Sequence, residues 1–596
     1  MCGIAGYVGE LDPARAEACV RTMTASQKRR GPDDQGVESW PGRAVLGHTR
    51  LAVFDLSHAG HQPMLSADRS TGIVFNGAIY NFRELRTELD ERGFTFHSQT
   101  DTEVLLHGYR CWGIEGTVSR LRGMFAFALW DDRRRELFLV RDRMGAKPLV
   151  YAAMGGTIAF ASSVEALRKA GVTHALDDQA VLEYLEFGYV TDARTIYAGA
   201  CKLPAASILH WKDGAFRQYA YWAPPPVRAS HSITFEDAVV ETERLFLRAV
   251  ELRLSADVPV GALLSGGIDS SLVCWATQKL GGNIRAFTVG TPGDPGDETA
   301  DAIATAQTLG ISHQTIPIAS DDIPSVDELL SAYGEPFACT SALGMLRVSK
   351  AVKPLATVLL TGDGGDDVFL GYPEHKHFWM AQRFARFVPA VNPWTALRRA
   401  LPDAGWLGRG KHFLDYATGG LGAVTRVHNG LPVYARAGIL GERLNARTLP
   451  DRELPLSASS ARNLLPEFLA YDRNTRFPGE YMTKVDGATM HYSLEARSPF
   501  LDHKLWEFAS TLPFEIRMRG GKTKAILREI ARRHIGERVA SGVKRGFHIP
   551  VRRCPAGPWP RLEREGYIRP GAAHDLPRDS KQLWYLFVLE NWLARR

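Results

Sequence analysis

Residues 258–279 read VPVGALLSGGIDSSLVCWATQK. An apolar run ends at Leu264, a glycine- and serine-rich loop spans Ser265–Ser271, and a helical pattern follows. Strand, loop and helix in that order place a helix N-terminus at the end of a buried strand. There the free N–H groups and the positive end of the helix dipole favour an anion. Gly266 and Gly267 let the backbone approach a phosphate, and Ser265, Ser270 and Ser271 add hydroxyls. Asp269 can hold a divalent cation. The heptad is not the G-x-x-x-x-G-K-[ST] phosphate loop. The plain alternative is an ordinary turn with two glycines.

The surroundings favour the first reading. Residues 235–255 have apolar positions at helical spacing, and IRAFTVG (284–290), HQTIPIA (313–319) and ATVLL (356–360) are short apolar strands separated by helical stretches. That alternation predicts a doubly wound parallel sheet. After the last of these strands comes LLTGDGGDDVFLGY (359–372), with Asp363, Asp366 and Asp367 among glycines. In doubly wound sheets the ligand crevice lies outside the C-terminal ends of the strands. An anion loop and a carboxylate loop there predict a magnesium-nucleotide site. Lys522, Lys524 and Lys544 are available to neutralise phosphate charge, although a lone lysine is usually just surface. Beyond roughly residue 375 the pattern is mostly helical with Pro and Gly breaks.

The first 200 or so residues read differently. AVLGHTRLAVFD, GIVFNGAIYNF, MFAFALWD, ELFLVRD and TIAFASS are β-type runs, with helical stretches at 80–93 and 101–113. The proline-rich WAPPPVRASHSITF (222–235) predicts a linker. The expected domains are therefore 2–222 and 236–596, joined by 223–235.

The chain has 596 residues, 45% hydrophobic and 23% charged, with a formal net charge of +6. These values suit a soluble multi-domain protein and point away from a nucleic-acid partner. RFARF and LRRAL, near 383–401, read as a helix face. Seven scattered cysteines, with no CxxC pair, fit neither a zinc site nor a disulfide framework. No apolar run reaches the ~18 residues of a membrane span, and no signal-peptide pattern opens the chain. A cytoplasmic protein is expected.

The motifs together resemble the glutamine-dependent asparagine synthetase family and its amidotransferase relatives. In the N-terminal half they are MCGIAGYV, RRGPDDQG, GHTRLAVFD, FNGAIYNFRELR, SQTDTEVLLHGY, LRGMFAFALWD and VRDRMGAKPLVY. In the C-terminal half they are LLSGGIDSS, the acidic loop, MTKVDGATMHYSLEARSPFLDH, KTKAILRE and KRGF. The resemblance covers nearly the whole chain. It implies a class II glutaminase domain of the N-terminal-nucleophile type, an αββα sandwich. That domain precedes an ATP pyrophosphatase domain with a doubly wound parallel sheet and a helical C-terminal part. An ammonia tunnel between the sites is implied as well, and a homodimer is expected.

The resemblance also implies roles. Once Met1 is removed, Cys2 would carry both a thiol and the free α-amine, whose reference pKa near ~7.7–8 suits a general base. Asn76 and Gly77 match the oxyanion hole. Arg50 matches the residue pairing with the glutamine carboxylate, and Asp101 the one binding its amine. In the synthetase site Ser265, Gly266, Gly267, Asp269, Ser270 and Ser271 would hold pyrophosphate. Asp269 and Asp366 match magnesium ligands, and Lys524 the lysine that stabilises phosphate charge. The backbone around Leu263, Val289 and Gly362 would contact adenosine. Asp363 stands where a catalytic Glu is common.

The implied reaction releases ammonia from glutamine and transfers it to a carboxylate activated by ATP as an acyl-adenylate, as in aspartate to asparagine. Cys339, Asp367 and Leu370 depart from the usual acidic residue, Glu and Gly near the presumed acceptor pocket. The alternative is therefore the same chemistry on another carboxylate or nitrogen donor in natural-product biosynthesis. A non-catalytic regulator is a third reading, which the intact Cys2, Arg50, Asn76, Asp101, Asp269 and Lys524 argue against.

Overall fold

The computed structural model describes residues 2–596 except 11, 228–232, 292–295, 320–321, 323, 386–430, 446, 448–462, 543–556, 573–575 and 577–579. Lys544, Cys554, LRRAL, the end of RFARF and the middle of the expected linker lie outside the described residues.

The N-terminal part is built on two six-stranded antiparallel sheets. In spatial order the first holds Ala200–Lys202, Val150–Met154, Thr157–Ala161, Gly3–Val8, Ala44–Arg50 and Asp34–Trp40. The second holds Ala215–Ala220, Ser207–Lys212, Glu136–Arg141, Gly123–Asp131, Thr71–Ile79 and Met64–Leu65. Period-2 alternation divides their side chains between two layers. Ile4, Val8 and Leu46 of the first sheet meet Val74, Ala128, Trp130 and Leu139 of the second in one buried cluster. The alternate residues Ala5 and Val45 pack outward with Val20 and Met23 of helix Pro13–Ser26. Likewise Phe75, Phe127 and Phe138 pack outward with Leu105 and Tyr109 of helix Asp101–Arg120. The result is an αββα sandwich.

The second part contains a five-stranded parallel sheet in the order His313–Pro317, Arg285–Gly290, Val260–Leu263, Val358–Leu360, Glu495–Arg497. The chain winds outward from Val260–Leu263 in one direction, then returns to its other side at Val358–Leu360. That reversal is the switch point where ligands bind in such sheets. The described part beyond residue 375 is mostly helical, with one correction to the sequence reading. Glu495–Arg497 is a strand, paired in parallel with Val358–Leu360. Three residues are too few to show a period, and two are charged. Their charges are neutralised locally: at i and i+2 they share one face, and Arg497 Nε meets Glu495 Oε1 at 2.6 Å in full burial.

Buried ion pairs join the two parts. Asp486 accepts from Arg30 at 2.8 Å and Lys147 at 3.2 Å, and Asp502 from Arg122 at 2.8 Å, with Arg253 of its own part bonded to the same carboxylate at 3.2 Å. Lys202 pairs with Glu335 at 2.7 Å.

Candidate active sites

Cys2 opens the central strand of the first sheet, and Asn76 sits mid-strand in the sheet facing it. The Cys2 N–H donates to Asn76 Oδ1 at 3.0 Å, bridging the sandwich. Because a backbone donor needs the amide oxygen, this bond fixes which way the Asn76 side chain is turned. Its Nδ2 is then left buried with no acceptor among the described residues. An orphaned buried donor is uncommon in a folded protein, and beside a thiol it is placed to receive an oxyanion. Gly77 follows for a steric reason: a Cβ there would stand 2.1 Å from the Met124 carbonyl oxygen of the neighbouring strand.

Burial raises the Cys2 thiol pKa, while the chain's N-terminal charge, a Leu51 backbone bond and Arg50 pull it down. Asp101 is the first residue of its helix, and its carboxylate accepts from the Ile79 N–H at 2.7 Å. Burial pushes its pKa up to about 7 against that bond, and the charges of Glu495 and Cys2 add to the rise. Arg50 is buried with its guanidinium donating to the carbonyls of Phe54 (3.1 Å), Ser57 (2.9 Å) and Asp55. Cys2, Asn76–Gly77 and Asp101 thus converge from three separated stretches, with Arg50 at the end of the strand paired with Gly3–Val8.

Two contributors were not assigned from the sequence. Arg30 Nε donates to the Cys2 carbonyl at 3.1 Å while its other nitrogens hold Asp486. Its motif, RRGPDDQG, is conspicuous, but no spacing ties residue 30 to residue 486. Glu495 is the second, felt by both Cys2 and Asp101 from the edge of the other domain's sheet.

At the switch point the loop after Val260–Leu263 is tied by its own serines. Ser265 N–H donates to Ser270 Oγ at 3.1 Å, and Ser270 Oγ to the Gly267 carbonyl at 3.2 Å. Gly266 takes φ +76°, the left-handed region glycine enters without a Cβ penalty. Helix Ile268–Lys279 starts there, and no side chain caps its N-terminus. Ser271 differs from its neighbours: it is fully buried and its hydroxyl has no partner among the described residues. Leu263 and Val289 are partly buried in one apolar cluster at adjacent strand ends.

The acidic loop faces this one. Lys524 Nζ lies 2.5 Å from Asp269 Oδ2 and 2.6 Å from Asp366 Oδ1. Burial lowers the Lys524 pKa, but the two carboxylates outweigh it and leave it raised. Lys522, two residues earlier, is exposed. The glycines make room: a Cβ on Gly362 would stand 2.8 Å from Asp269 Cβ, and one on Gly365 2.7 Å from Asp269 Cγ. Among the described residues Lys524 pairs with those two carboxylates and not with Asp363. Asp363 Oδ2 instead accepts from Thr361 Oγ1 at 2.7 Å, and its carbonyl accepts from Ser498 Oγ.

Residues 1–222 match the glutamine amidotransferase domain family and residues 241–594 the asparagine synthase family. A glutamine-hydrolysing asparagine synthetase of Bacillus subtilis is 30% identical over 591 residues, covering 96% of this chain and 89% of that protein. The chain belongs to the glutamine-hydrolysing asparagine synthetase family. Other members of the asparagine synthetase family at similar distance include a putative asparagine synthetase of Mycobacterium tuberculosis, 30% identical over 93% of this chain and 88% of its own. A protein of Penicillium rubens named an amidase is 28% identical over 94% and 90%.

Within this asparagine synthetase family member the departing residues form one neighbourhood. Leu370 holds φ +59° and is fully buried against Phe378, Leu464 and Phe468. A left-handed non-glycine residue costs about 1–2 kcal/mol, which burying a leucine, at about 1.5–3 kcal/mol, offsets. Tyr372 stacks on Tyr481 with centroids 5.7 Å apart, and the Arg476 guanidinium lies over both rings. Cys339 Sγ is 3.3 Å from Glu480 Oε1, and burial followed by the Glu480 charge pushes the thiol up to about 12.

Proposed function

We propose that this chain hydrolyses glutamine at Cys2 and delivers the ammonia to an acyl-adenylate formed with ATP, with aspartate as the leading acceptor. The supporting observation is the Cys2–Asn76 bond, which joins the two residues across the sandwich and leaves the Asn76 Nδ2 buried with no acceptor among the described residues. In this reading residues 2–222 are the glutaminase and 236–596 the synthetase, joined by 223–235. Removal of Met1 exposes the Cys2 amine as general base. The thiolate attacks the glutamine amide carbon, Asn76 Nδ2 and the Gly77 N–H receive the oxyanion, and the C–N bond breaks as ammonia takes the proton. Water then hydrolyses the thioester to glutamate. Arg50 and Asp101 hold the substrate's carboxylate and amine.

In the synthetase site the Ser265–Ser271 loop cradles the phosphates, and the backbone near Leu263, Val289 and Gly362 meets the adenosine. The acceptor carboxylate attacks the α-phosphate and pyrophosphate leaves, its charge met by Lys524. Asp363 takes a proton from the incoming ammonium, and the ammonia attacks the acyl carbon as the bond to AMP breaks and AMP leaves. Asp269 and Asp366 are hard oxygen donors around a glycine-lined cradle. They suit Mg²⁺, which favours one or two carboxylates with substrate phosphates completing its shell. That ion would supply charge neutralisation on the phosphates. Cytoplasmic placement and homodimeric assembly, with small-molecule substrates alone, belong to the same reading and come from the family resemblance.

Cys2→Ala tests it. Glutamine should no longer support product formation, while ammonium salts still drive ATP cleavage to AMP and pyrophosphate. Formation of ADP would sink the adenylation step.

A second reading, amidation of a different carboxylate, is favoured by the Cys339–Glu480 contact and the Tyr372–Tyr481–Arg476 stack. Pyrophosphate release measured across candidate acids decides between them, and rapid turnover with aspartate removes the second.

A further inference from the structure

A cavity of about 920 Å³ lies between the two domains, apart from the ATP loop and adjoining the Cys2 site through Arg30. Its glutaminase-side wall includes Lys28, Arg29, Arg30, Arg168 and Lys169, and Arg595 and Arg596 come from the other domain. Three side-chain carboxylates pair with members of these seven cations. Glu165 holds Arg168 at 2.6 Å and Lys169 at 3.8 Å, Asp327 holds Arg595 at 2.5 Å, and Asp486 holds Arg30. Among the described residues no carboxylate pairs with Lys28 or Arg29. Arg29 donates to Ser331 Oγ at 3.0 Å and meets the His491 ring, a neutral pair of contacts. Burial and then the Arg29 charge push the His491 pKa below its ordinary value, against the opposing charge of Glu328.

We infer that this interdomain cavity binds a small phosphate-bearing anion, separate from the ATP loop. Several guanidinium forks around one space match the multiple oxygens and double charge of a phosphate group better than a single carboxylate. The volume lies within the range of small-molecule sites, roughly 300–1,000 Å³. The cavity also has a route to the nucleophile. Arg30 lines it and donates to the Cys2 carbonyl at 3.1 Å, and Gly487, beside Asp486, forms part of the same wall. An anion that draws on Arg30 therefore acts on the backbone of Cys2. This last effect rests on Cys2 being the glutaminase nucleophile; the binding does not.

The test is calorimetry on the full chain with its ATP loop saturated by a non-hydrolysable ATP analogue, titrated with pyrophosphate in one arm and ADP in the other. Binding of either at about one per chain is expected, and the arm that binds tells an inorganic from a nucleotide phosphate. In Lys28→Gln/Arg29→Gln/Lys169→Gln that affinity should fall at least about tenfold, with ATP-analogue binding unchanged as the folding control. Absence of binding beyond the ATP loop in both arms, or an affinity that ignores the triple change, overturns the site. Glutamine hydrolysis without ATP or acceptor gives the second readout. A change of about twofold or more on adding the bound anion, missing in the triple variant, supports the Arg30 route. Binding with no such change removes that route. A chain that hydrolyses no glutamine refutes the proposed glutaminase and leaves the binding result intact.

Discussion

Gly371→Ala is a small change aimed at the most crowded point of the synthetase site. A Cβ at residue 371 would stand 1.9 Å from Asp366 Oδ1 and 2.3 Å from Lys524 Cε. Real Cβ contacts essentially never fall below 3.0 Å, so the carboxylate must retreat by about 1.1 Å. Gly371 cannot easily move instead, because its N–H is bound to the Asp366 carbonyl at 2.7 Å. Lys524 is gripped between two carboxylates at 2.5 and 2.6 Å, and a shift of that size breaks at least one contact. Misplacing a positioned group by about 1 Å can reduce rate ~10²-fold, which is about 2.7 kcal/mol at 1.36 kcal/mol per decade. Stability should fall by about 1–3 kcal/mol, the usual range for overpacking. The assay is ammonia-dependent AMP formation, with glutaminase activity in the absence of ATP as the control. AMP formation should drop about a hundredfold, while glutamine hydrolysis stays within about twofold. AMP formation retained within about threefold would refute the steric argument. A parallel loss of both activities would show that the damage spreads beyond the clamp.

Three further outcomes are expected. Asn76→Ala removes the unpartnered donor and should cut the glutaminase kcat by about 10²–10³, measured as glutamate release, with ammonia-dependent AMP formation intact. The Asp101 carboxyl is pushed up to about 7 by burial. Because its folded pKa is raised, it contributes stability below the unfolded value near 3.8 and loses it as pH rises through about 7. Asp101→Asn should therefore raise Tm more at pH 8 than at pH 5. On the proposed role of Asp101 in holding the glutamine amine, it should also remove the rise of kcat/KM for glutamine through about pH 7, where the wild-type carboxylate forms. Asp486→Asn strands Arg30 and Lys147 at the domain junction, and losing one partner of a buried pair typically costs about 3–5 kcal/mol. Differential scanning calorimetry should show a lower Tm, and an unchanged profile would mean that the junction does not depend on that carboxylate.

What could be read in advance was contiguous. Val260–Leu263, its serine loop and the helix after it form one stretch, and a buried strand ending at a helix N-terminus has a local signature. The alternation that divides Ile4 from Ala5 between two layers is local too. Glu495–Arg497 is the counter-example: a strand of three residues leaves no period, and only the neighbouring strand makes it one.

The sequence by itself determined the order of the elements, the two-domain plan and the residue types of both sites. Propensity, periodicity and turn chemistry act over a few residues. Tertiary structure alone decided which groups meet. Lys524 and Asp269 are 255 residues apart, and nothing local distinguishes Lys524 from the exposed Lys522. Asn76 reaches Cys2 only because two sheets stack, and Arg30 reaches both Cys2 and Asp486 only because two domains pack. Hydrogen bonds and ion pairs form at 2.5–3.3 Å in these sites, a distance set by packing and not by position along the chain.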